Sequence, residues 1–365
     1  MNNKIILFIS ILMLSSCATS SLQKSKNKPV AKNIILLIGD GMGLTQTTTA
    51  FIYSDTPPNF SRFKQIGLHL NKPIGARLTD SAAGATAFSI GEKTYNGAIG
   101  VTKDTIAKKT ILEMASENGK STGLVVTSSL MHATPAAFYA HVSSRSLYEK
   151  IALQFVNSNY VDIAIGGGYQ YLNNRKDGQD LIKKLRQKGT VVDTSALNKN
   201  ETINKKYAYF LAPDGMPKMQ NGRGNFLSDA TQCSLDYLSQ NNKGFFLMVE
   251  GSQIDWGGHQ NDADYIIEEV KDFDKAVGVA LDFAERDKNT LVIVTADHET
   301  GGFSLTAAKV FGKLDYRQIS PAFTSTSHSA ALIPVYTFGP GADEYIGIYE
   351  NNDIFYKMVN SFLNK

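Results

Sequence analysis

Short runs of unbroken apolar, largely β-branched residues recur along the chain at 33–38, 121–126, 245–249 and 291–294. Runs of this length without polar alternation are what a strand buried on both faces requires. Between them, apolar residues return every three or four positions, which predicts helices over 110–118, 145–157, 178–188, 225–241 and 263–286. In the last of these, Ile266, Ile267, Val270, Phe273, Val277 and Leu281 form a stripe whose simplest role is core packing. Strands alternating with helices predict an α/β class with a doubly wound, mostly parallel sheet. A further apolar run at 161–165 ends in Gly166-Gly167-Gly168. It lacks the lysine and hydroxyl of a P-loop and the spacing of a dinucleotide fingerprint, so it reads as a strand-to-loop turn.

The chain has 365 residues, 42% of them hydrophobic, enough for one large α/β domain or two ordinary ones. No repeat, low-complexity block or linker interrupts 32–365, so one continuous domain is expected there. The formal net charge is +3 and no basic stripe follows a helix face, which argues against nucleic acid as a partner. At the N-terminus, Lys4 precedes an apolar run over 5–14 that is too short to span a bilayer, followed by Leu14-Ser15-Ser16-Cys17. This reads as an export signal over 1–17, and the small residues before Cys17 resemble a bacterial lipobox. Cys17 would then be the acylated first residue and 18–31 a flexible tether, giving a lipoprotein on a bacterial membrane, periplasmic or at the cell surface. An ordinary cleaved signal is the alternative. Cys233 is the one other cysteine, so with Cys17 acylated no internal disulfide is expected.

In open α/β sheets, ligands bind beyond the carboxyl ends of the strands. The first run is followed by Asp40, the third by Glu250, Asp255 and His259, and the fourth by Asp297 and His298, each beside glycines that allow sharp turns. Singly, each residue has a plain structural explanation, Asp40 as a helix cap and Asp255 as a turn residue. Together they are hard to explain that way, because the chain holds six histidines and two of them fall just after strand-like runs. Mixed Asp and His donors without thiolates suit zinc or a similar ion in an open, catalytic site. Two such ions suit in-line displacement at phosphorus. Ser81, in Thr79-Asp80-Ser81-Ala82-Ala83-Gly84, is the candidate nucleophile, and by itself it reads as a helix N-cap. No His-Asp pair stands out as its base, which leaves activation to a metal.

These residues carry a resemblance. The chain resembles the bacterial and animal alkaline phosphatases from Asn33 through His328, with Ile38-Gly39-Asp40-Gly41-Met42-Gly43, Thr79-Asp80-Ser81-Ala82-Ala83, Thr94-Tyr95-Asn96-Gly97, His132-Ala133-Thr134-Pro135-Ala136-Ala137, Val249-Glu250-Gly251 and Thr295-Ala296-Asp297-His298-Glu299-Thr300-Gly301-Gly302 in the family's order. The resemblance implies a three-layer sandwich and a phosphate monoester hydrolase with two Zn2+ and one Mg2+. Ser81 would form a phosphoseryl intermediate, which water then hydrolyses. Asp255, His259 and His328 would hold one zinc, Asp40, Asp297 and His298 the other, and Asp40, Thr134 and Glu250 the magnesium. Arg145 would grip phosphate. His132 and Trp256 would stand just outside the metal ligands, where the family varies. His328 has the thinnest local match. Only 29 residues separate His298 from His328, so the family's large insertion there is reduced or missing, and a homodimer built through it is left open.

Two rival readings stand beside this one. A phosphodiesterase or sulfatase of the same superfamily would share the two-metal plan, though Arg145 and the Thr134/Glu250 pair favour a monoesterase. A lipoprotein that captures phosphate or metal without turnover would need no nucleophile, and Ser81 speaks against it.

Overall fold

The apolar runs read from the sequence lie side by side in the middle of one sheet. The computed structural model describes residues 30–198 and 202–363; the export signal, Cys17 and residues 18–29 of the expected tether lie outside them. Fourteen strands occur among the described residues: β1 (Asn33–Gly39), β2 (Gln65–Leu70), β3 (Ser121–Ser129), β4 (Ile163–Gly167), β5 (Val191–Asp193), β6 (Tyr207–Phe210), β7 (Phe245–Gly251), β8 (Thr290–Thr295), β9 (Glu299–Thr300), β10 (Ser304–Val310), β11 (Lys313–Ala322), β12 (His328–Ser329), β13 (Ile333–Phe338) and β14 (Gly347–Glu350). Ten of them form a sheet in the order β14-β2-β13-β8-β1-β7-β3-β4-β6-β5. Within it β13 pairs antiparallel with both β2 and β8. Every other neighbouring pair is parallel.

Alternate side chains of β1 enter two separate cores. Ile34, Leu36 and Ile38 pack on one face with Phe88, Ile111 and Phe155. Ile35 and Leu37 pack on the other with Phe273, Val277 and Leu281. The first face is covered by helices that include Ser81–Ile90, Ile111–Glu117 and Tyr148–Asn157, the second by Phe226–Leu238 and Ala263–Asp287. This is the three-layer, doubly wound arrangement, and it explains why the central strands carry no polar alternation: neither face meets water.

Helix ends follow local chemistry. Thr110 and Glu113 form a reciprocal capping box that starts Ile111–Glu117. Asp262 accepts from the Tyr265 amide to start Ala263–Asp287. One expected boundary moves with consequence: the helix predicted from 145 starts at Tyr148, so Arg145 stands in the segment before it. The interval between β9 and β12 is filled by the β10–β11 hairpin, with Phe311 and Tyr316 exposed near its tip.

Candidate metal centre

With nine sheet strands running one way, their carboxyl ends form one edge, and the candidate residues collect there. Asp40 follows β1, Glu250 is the penultimate residue of β7, and Asp297 and His298 follow β8. His132 caps, and Thr134 belongs to, the short helix Ala133–Ala136 beyond β3. Asp255 and His259 sit one turn apart on the helix Gln253–His259 beyond β7, so the turn expected at Asp255 is helical instead and Gly257 and Gly258 are helix residues. They are glycine for closeness: a Cβ on Gly258 would lie 2.8 Å from Thr300. The reversed strand β13 matters most for His328. Because β13 begins at this edge, the residues just before it arrive here too, and β12 pairs His328 with Thr300 of β9.

Ser81 is the first residue of Ser81–Ile90, not its cap. Asp80 is the cap, accepting from the Ala83 amide at 3.0 Å. Asp80 also accepts from the Gly97 amide at 3.0 Å, and its own amide donates to the Asn96 side chain at 3.1 Å. This accounts for the Thr94-Tyr95-Asn96-Gly97 motif, which has no evident role in sequence. The same Asp80 carboxylate receives Nη1 of Arg145 at 3.2 Å, while Nη2 of Arg145 lies 3.3 Å from Nε2 of His132. The guanidinium is thus held from two sides.

Three sets of donors converge among the described residues: Asp255 with His259 and His328, Asp40 with Asp297 and His298, and Asp40 with His132 and Glu250. Hydrogen bonds fix how the histidines face the first two. Nδ1 of His259 lies 2.7 Å from the Thr326 carbonyl, and Nδ1 of His328 lies 2.7 Å from the Thr79 carbonyl. A carbonyl only accepts, so each Nδ1 carries a proton and each Nε2 is turned toward the site. These two Nε2 atoms face each other at 3.2 Å, with Oδ1 of Asp255 at 3.3 Å from one and 3.7 Å from the other. Two imidazole nitrogens and a carboxylate this close need a proton or a metal ion between them.

Thr300 couples the two sets. Its hydroxyl donates to Asp255 at 2.5 Å and therefore accepts from Nδ1 of His298, 3.2 Å away. Nε2 of His298 is left facing Ser81 Oγ at 3.2 Å, Asp297 at 3.3 Å and Asp40 at 3.5 Å. Oδ2 of Asp40 and Oδ2 of Asp297 are buried without a hydrogen-bond partner, which a cation would supply. The donor set fits zinc, and Asp40, Thr134 and Glu250 offer the oxygens that magnesium prefers. His132, expected just outside the ligands, lies close enough to Asp40 and Glu250 to be one of them; Trp256 packs edge-on against its ring at 6.2 Å.

Crowding and burial govern the charges. Burial, reinforced by Asp297, Asp255 and Glu250, pushes the Asp40 carboxyl well up. Burial raises Glu250 to about 8, and burial with Asp255 raises Asp297 to about 6. Burial pushes His298 down to about 4. At the open mouth, the bond to Asp255 raises His259 to about 9. Burial alone would raise Asp255, but the bond from His259 and the neighbouring imidazoles hold it far below the usual range.

The family model for alkaline phosphatase matches residues 31–318. The chain belongs to the alkaline phosphatase family. It is 34% identical to alkaline phosphatase 4 of Bacillus subtilis, over 97% of this chain and 95% of that protein. It is 35% identical to the Escherichia coli alkaline phosphatase, over 94% and 89%. The solved alkaline phosphatase of the Antarctic bacterium TAB5 superposes with a TM-score of 0.89 at 48% identity, covering 92% of this chain and 98% of that one. A variant of that enzyme with a histidine changed to aspartate is described with magnesium bound in its M3 site. This alkaline phosphatase is accordingly a phosphomonoester hydrolase with candidate metal sites. His328 falls beyond the segment matched by the family model, so its place in the centre rests on the β12–β9 pairing and the reversal of β13.

Every residue singled out in the sequence as a metal ligand comes to this edge. Thr300 and Asp80, which join the pieces, carry no role in the sequence reading. Both lie inside the quoted motifs, but their bonds reach residues 45 and 65 positions away, and one sequence gives no sign of that.

Asp297 and Glu250 have folded-state pKa values above the ordinary carboxylate range, so the folded chain binds more protons than the unfolded one. Stability of the metal-free protein is then lost as pH rises through about 6 and about 8. After treatment with a chelator, the melting temperature is expected to fall across this interval; adding zinc should raise it and flatten the dependence. Calorimetry at stepped pH with and without metal checks both.

Proposed function

We propose that this alkaline phosphatase transfers the phosphoryl group of monoesters to Ser81 and then to water, using two zinc ions and one magnesium ion. The observation that carries the reading is that Nε2 of His259, His328 and His298 is turned toward buried aspartates, with Nε2 of His298 and Oδ1 of Asp40 at 3.2 and 3.5 Å from Ser81 Oγ. Asp255, His259 and His328 would hold one zinc, Asp40, Asp297 and His298 the second, and Asp40, Thr134 and Glu250 the magnesium. When bound, these ions lower the pKa of the serine hydroxyl and of water and neutralise the departing alkoxide.

The chain's own residues do the rest. Ser81 Oγ stands at the first turn of its helix, where backbone N–H groups and the helix dipole favour an anion. The Arg145 fork binds two phosphate oxygens and turns the phosphorus toward Ser81. Ser81 Oγ forms the new P–O bond as the alcohol leaves on the side of His259 and His328. Water enters from that same side, displaces Ser81 and releases phosphate. Monoesters are preferred over diesters because Arg145 and the Glu250 site together address an oxygen that a diester covers with carbon.

We further propose that the protein is exported and anchored through a lipid on Cys17, on the strength of the Leu14-Ser15-Ser16-Cys17 pattern. Cys17→Ala should move the protein from the membrane to the soluble fraction on cell fractionation.

Ser81→Ala should lower turnover of p-nitrophenyl phosphate by at least about 10³-fold, with metal content by elemental analysis unchanged. The native enzyme should hydrolyse this monoester faster than bis(p-nitrophenyl) phosphate; faster diester turnover would sink the assignment. His132→Asp adds a carboxylate beside Asp40 and Glu250, and it should tighten magnesium binding as read by metal titration.

A further inference from the structure

Arg145 lies in a segment fixed by contacts remote from the metals. Val142 and Ile99 exchange backbone bonds at 2.9 and 3.0 Å, and the Arg145 amide donates to the Gly97 carbonyl at 2.7 Å. At the far end of this small ladder stands His141, a histidine that the chemistry above does not use. Its backbone is gripped by Gln154, whose side chain accepts from the His141 amide at 2.7 Å and donates to its carbonyl at 3.0 Å. Its ring bridges two elements: Nδ1 lies 2.7 Å from the Gly100 carbonyl, and Nε2 lies 3.1 Å from Oε1 of Glu113. Gly100 must be glycine, with φ +59° and an added Cβ only 2.1 Å from the Ala140 carbonyl.

Both ring contacts are with acceptors. The Gly100 carbonyl cannot donate, and Oε2 of Glu113 takes the Thr110 amide at 2.9 Å, a bond that favours the ionised carboxylate and leaves Oε1 to accept from the ring. An imidazole that donates from both nitrogens is an imidazolium. Glu113 is the charged group that faces the ring. The lysines leading into its helix are engaged elsewhere, Lys108 with Glu92 and Lys109 with Glu117; Gln154 and Gly100 bring no charge.

We propose that His141, as an imidazolium locked between Glu113 and Gly100, is a positioning residue that sets the Arg145 guanidinium for phosphate, and that the clamp loosens when this ring gives up its proton. Burial opposes the charge, but the bonds to Glu113 and Gly100 together with the Glu113 charge outweigh it and raise the pKa above the ordinary histidine value. Burial likewise opposes the Glu113 charge and is outweighed by the bonds from His141 and Thr110 together with the His141 charge. The sign follows: the bridge is fully made at and below neutral pH and is lost as pH rises through the raised value. Neutral His141 keeps one bond and turns a lone pair toward Glu113. The ladder then keeps the Gln154 grip and the Gly100 bond but loses its tie to Glu113, and bound phosphate is held less tightly. In the alkaline range this speeds departure of the product.

The inference rests on the reading of Arg145 as the phosphate clamp. It is tested on the metal-loaded enzyme by the inhibition constant of inorganic phosphate, with kcat and KM for p-nitrophenyl phosphate, between about pH 7 and 10, in native enzyme, Glu113→Gln, His141→Gln and Arg145→Ala. The side-chain amide introduced by Glu113→Gln can accept from the Thr110 amide and donate to Nε2 of a neutral ring. This variant should therefore bind phosphate like the native enzyme near pH 7 yet lose part of its weakening at higher pH. His141→Gln keeps one donor and should weaken phosphate roughly fivefold near pH 7, the scale of one lost hydrogen bond, with kcat maintained or raised. Nitrogen-15 spectra of the native imidazoles should show His141 protonated at both nitrogens near neutrality. An identical pH profile in Glu113→Gln, or a singly protonated His141 near neutral pH, overturns the inference. Should His141→Gln fail to fold, those two measurements still decide. If Arg145→Ala leaves phosphate inhibition unchanged, the reading of Arg145 itself fails; if it weakens phosphate while the other profiles stay native, the role of His141 alone fails.

Discussion

Four carboxylates, those of Asp40, Glu250, Asp255 and Asp297, are buried within one small volume at the end of the sheet. Their mutual repulsion is the constraint on which the rest of the site depends. A chain gains nothing from such a cluster in its own right, because each charge loses hydration and the neighbours oppose it. Protons or cations must neutralise it, and the orientation of the histidines selects between them. With Nδ1 of His259, His328 and His298 directed at oxygen acceptors, each Nε2 faces the carboxylates, where a cation can take the place of the proton that His259 otherwise shares with Asp255, so the arrangement suits metal.

The fold supplies the rigidity that this repulsion demands. Asp40, Glu250 and Asp297 sit on or beside β1, β7 and β8, the most deeply covered strands of the sheet, and their backbones have little freedom to relax apart. Ser81–Ile90 is brought close to them by small residues: a Cβ on Gly84 would stand 2.9 Å from Cβ of Asp297. The reversal of β13 adds the last ligand from a direction that a wholly parallel sheet could not use. A crossover returning to a parallel strand would have entered at the opposite edge and left His328 far from His259.

The central strands and the long helices were legible in sequence because burial on two faces and on one face leaves different periodicities. The candidate metal ligands were legible for a related reason, since strand ends and glycines mark where backbone can turn and present a side chain. Strand β2, Gln-Ile-Gly-Leu-His-Leu, was not legible, because a glycine, a histidine and half-exposed positions break its pattern. The antiparallel direction of β13 was equally hidden, as an apolar run carries no sign of its direction. The sequence pattern puts Arg145 on a helix because the apolar spacing that begins at Leu147 extends backward, whereas the segment before Tyr148 follows the ladder with Gly97 to Ile99. Thr300 reaches Asp255 and Asp80 reaches Gly97 and Arg145 across long stretches of sequence, contacts that exist only once the chain is folded.

In the cycle proposed for this enzyme, activation and release place opposed demands on the same site. Ionising Ser81 and water favours high pH, and the field that stabilises these anions also retains the dianionic product. A clamp built on Arg145 alone cannot relieve this retention, because a guanidinium keeps its charge throughout the working range. Relief has to come from a group that titrates and that acts on geometry instead of on the charge beside the phosphate. His141 is so placed: it lies four residues from Arg145 in the same ladder, faces a single carboxylate, and touches none of the metal donors. Loss of its proton leaves the charge around the metals unchanged while freeing the segment that aims the arginine, so the step that ends the cycle can be eased without weakening the ones that begin it.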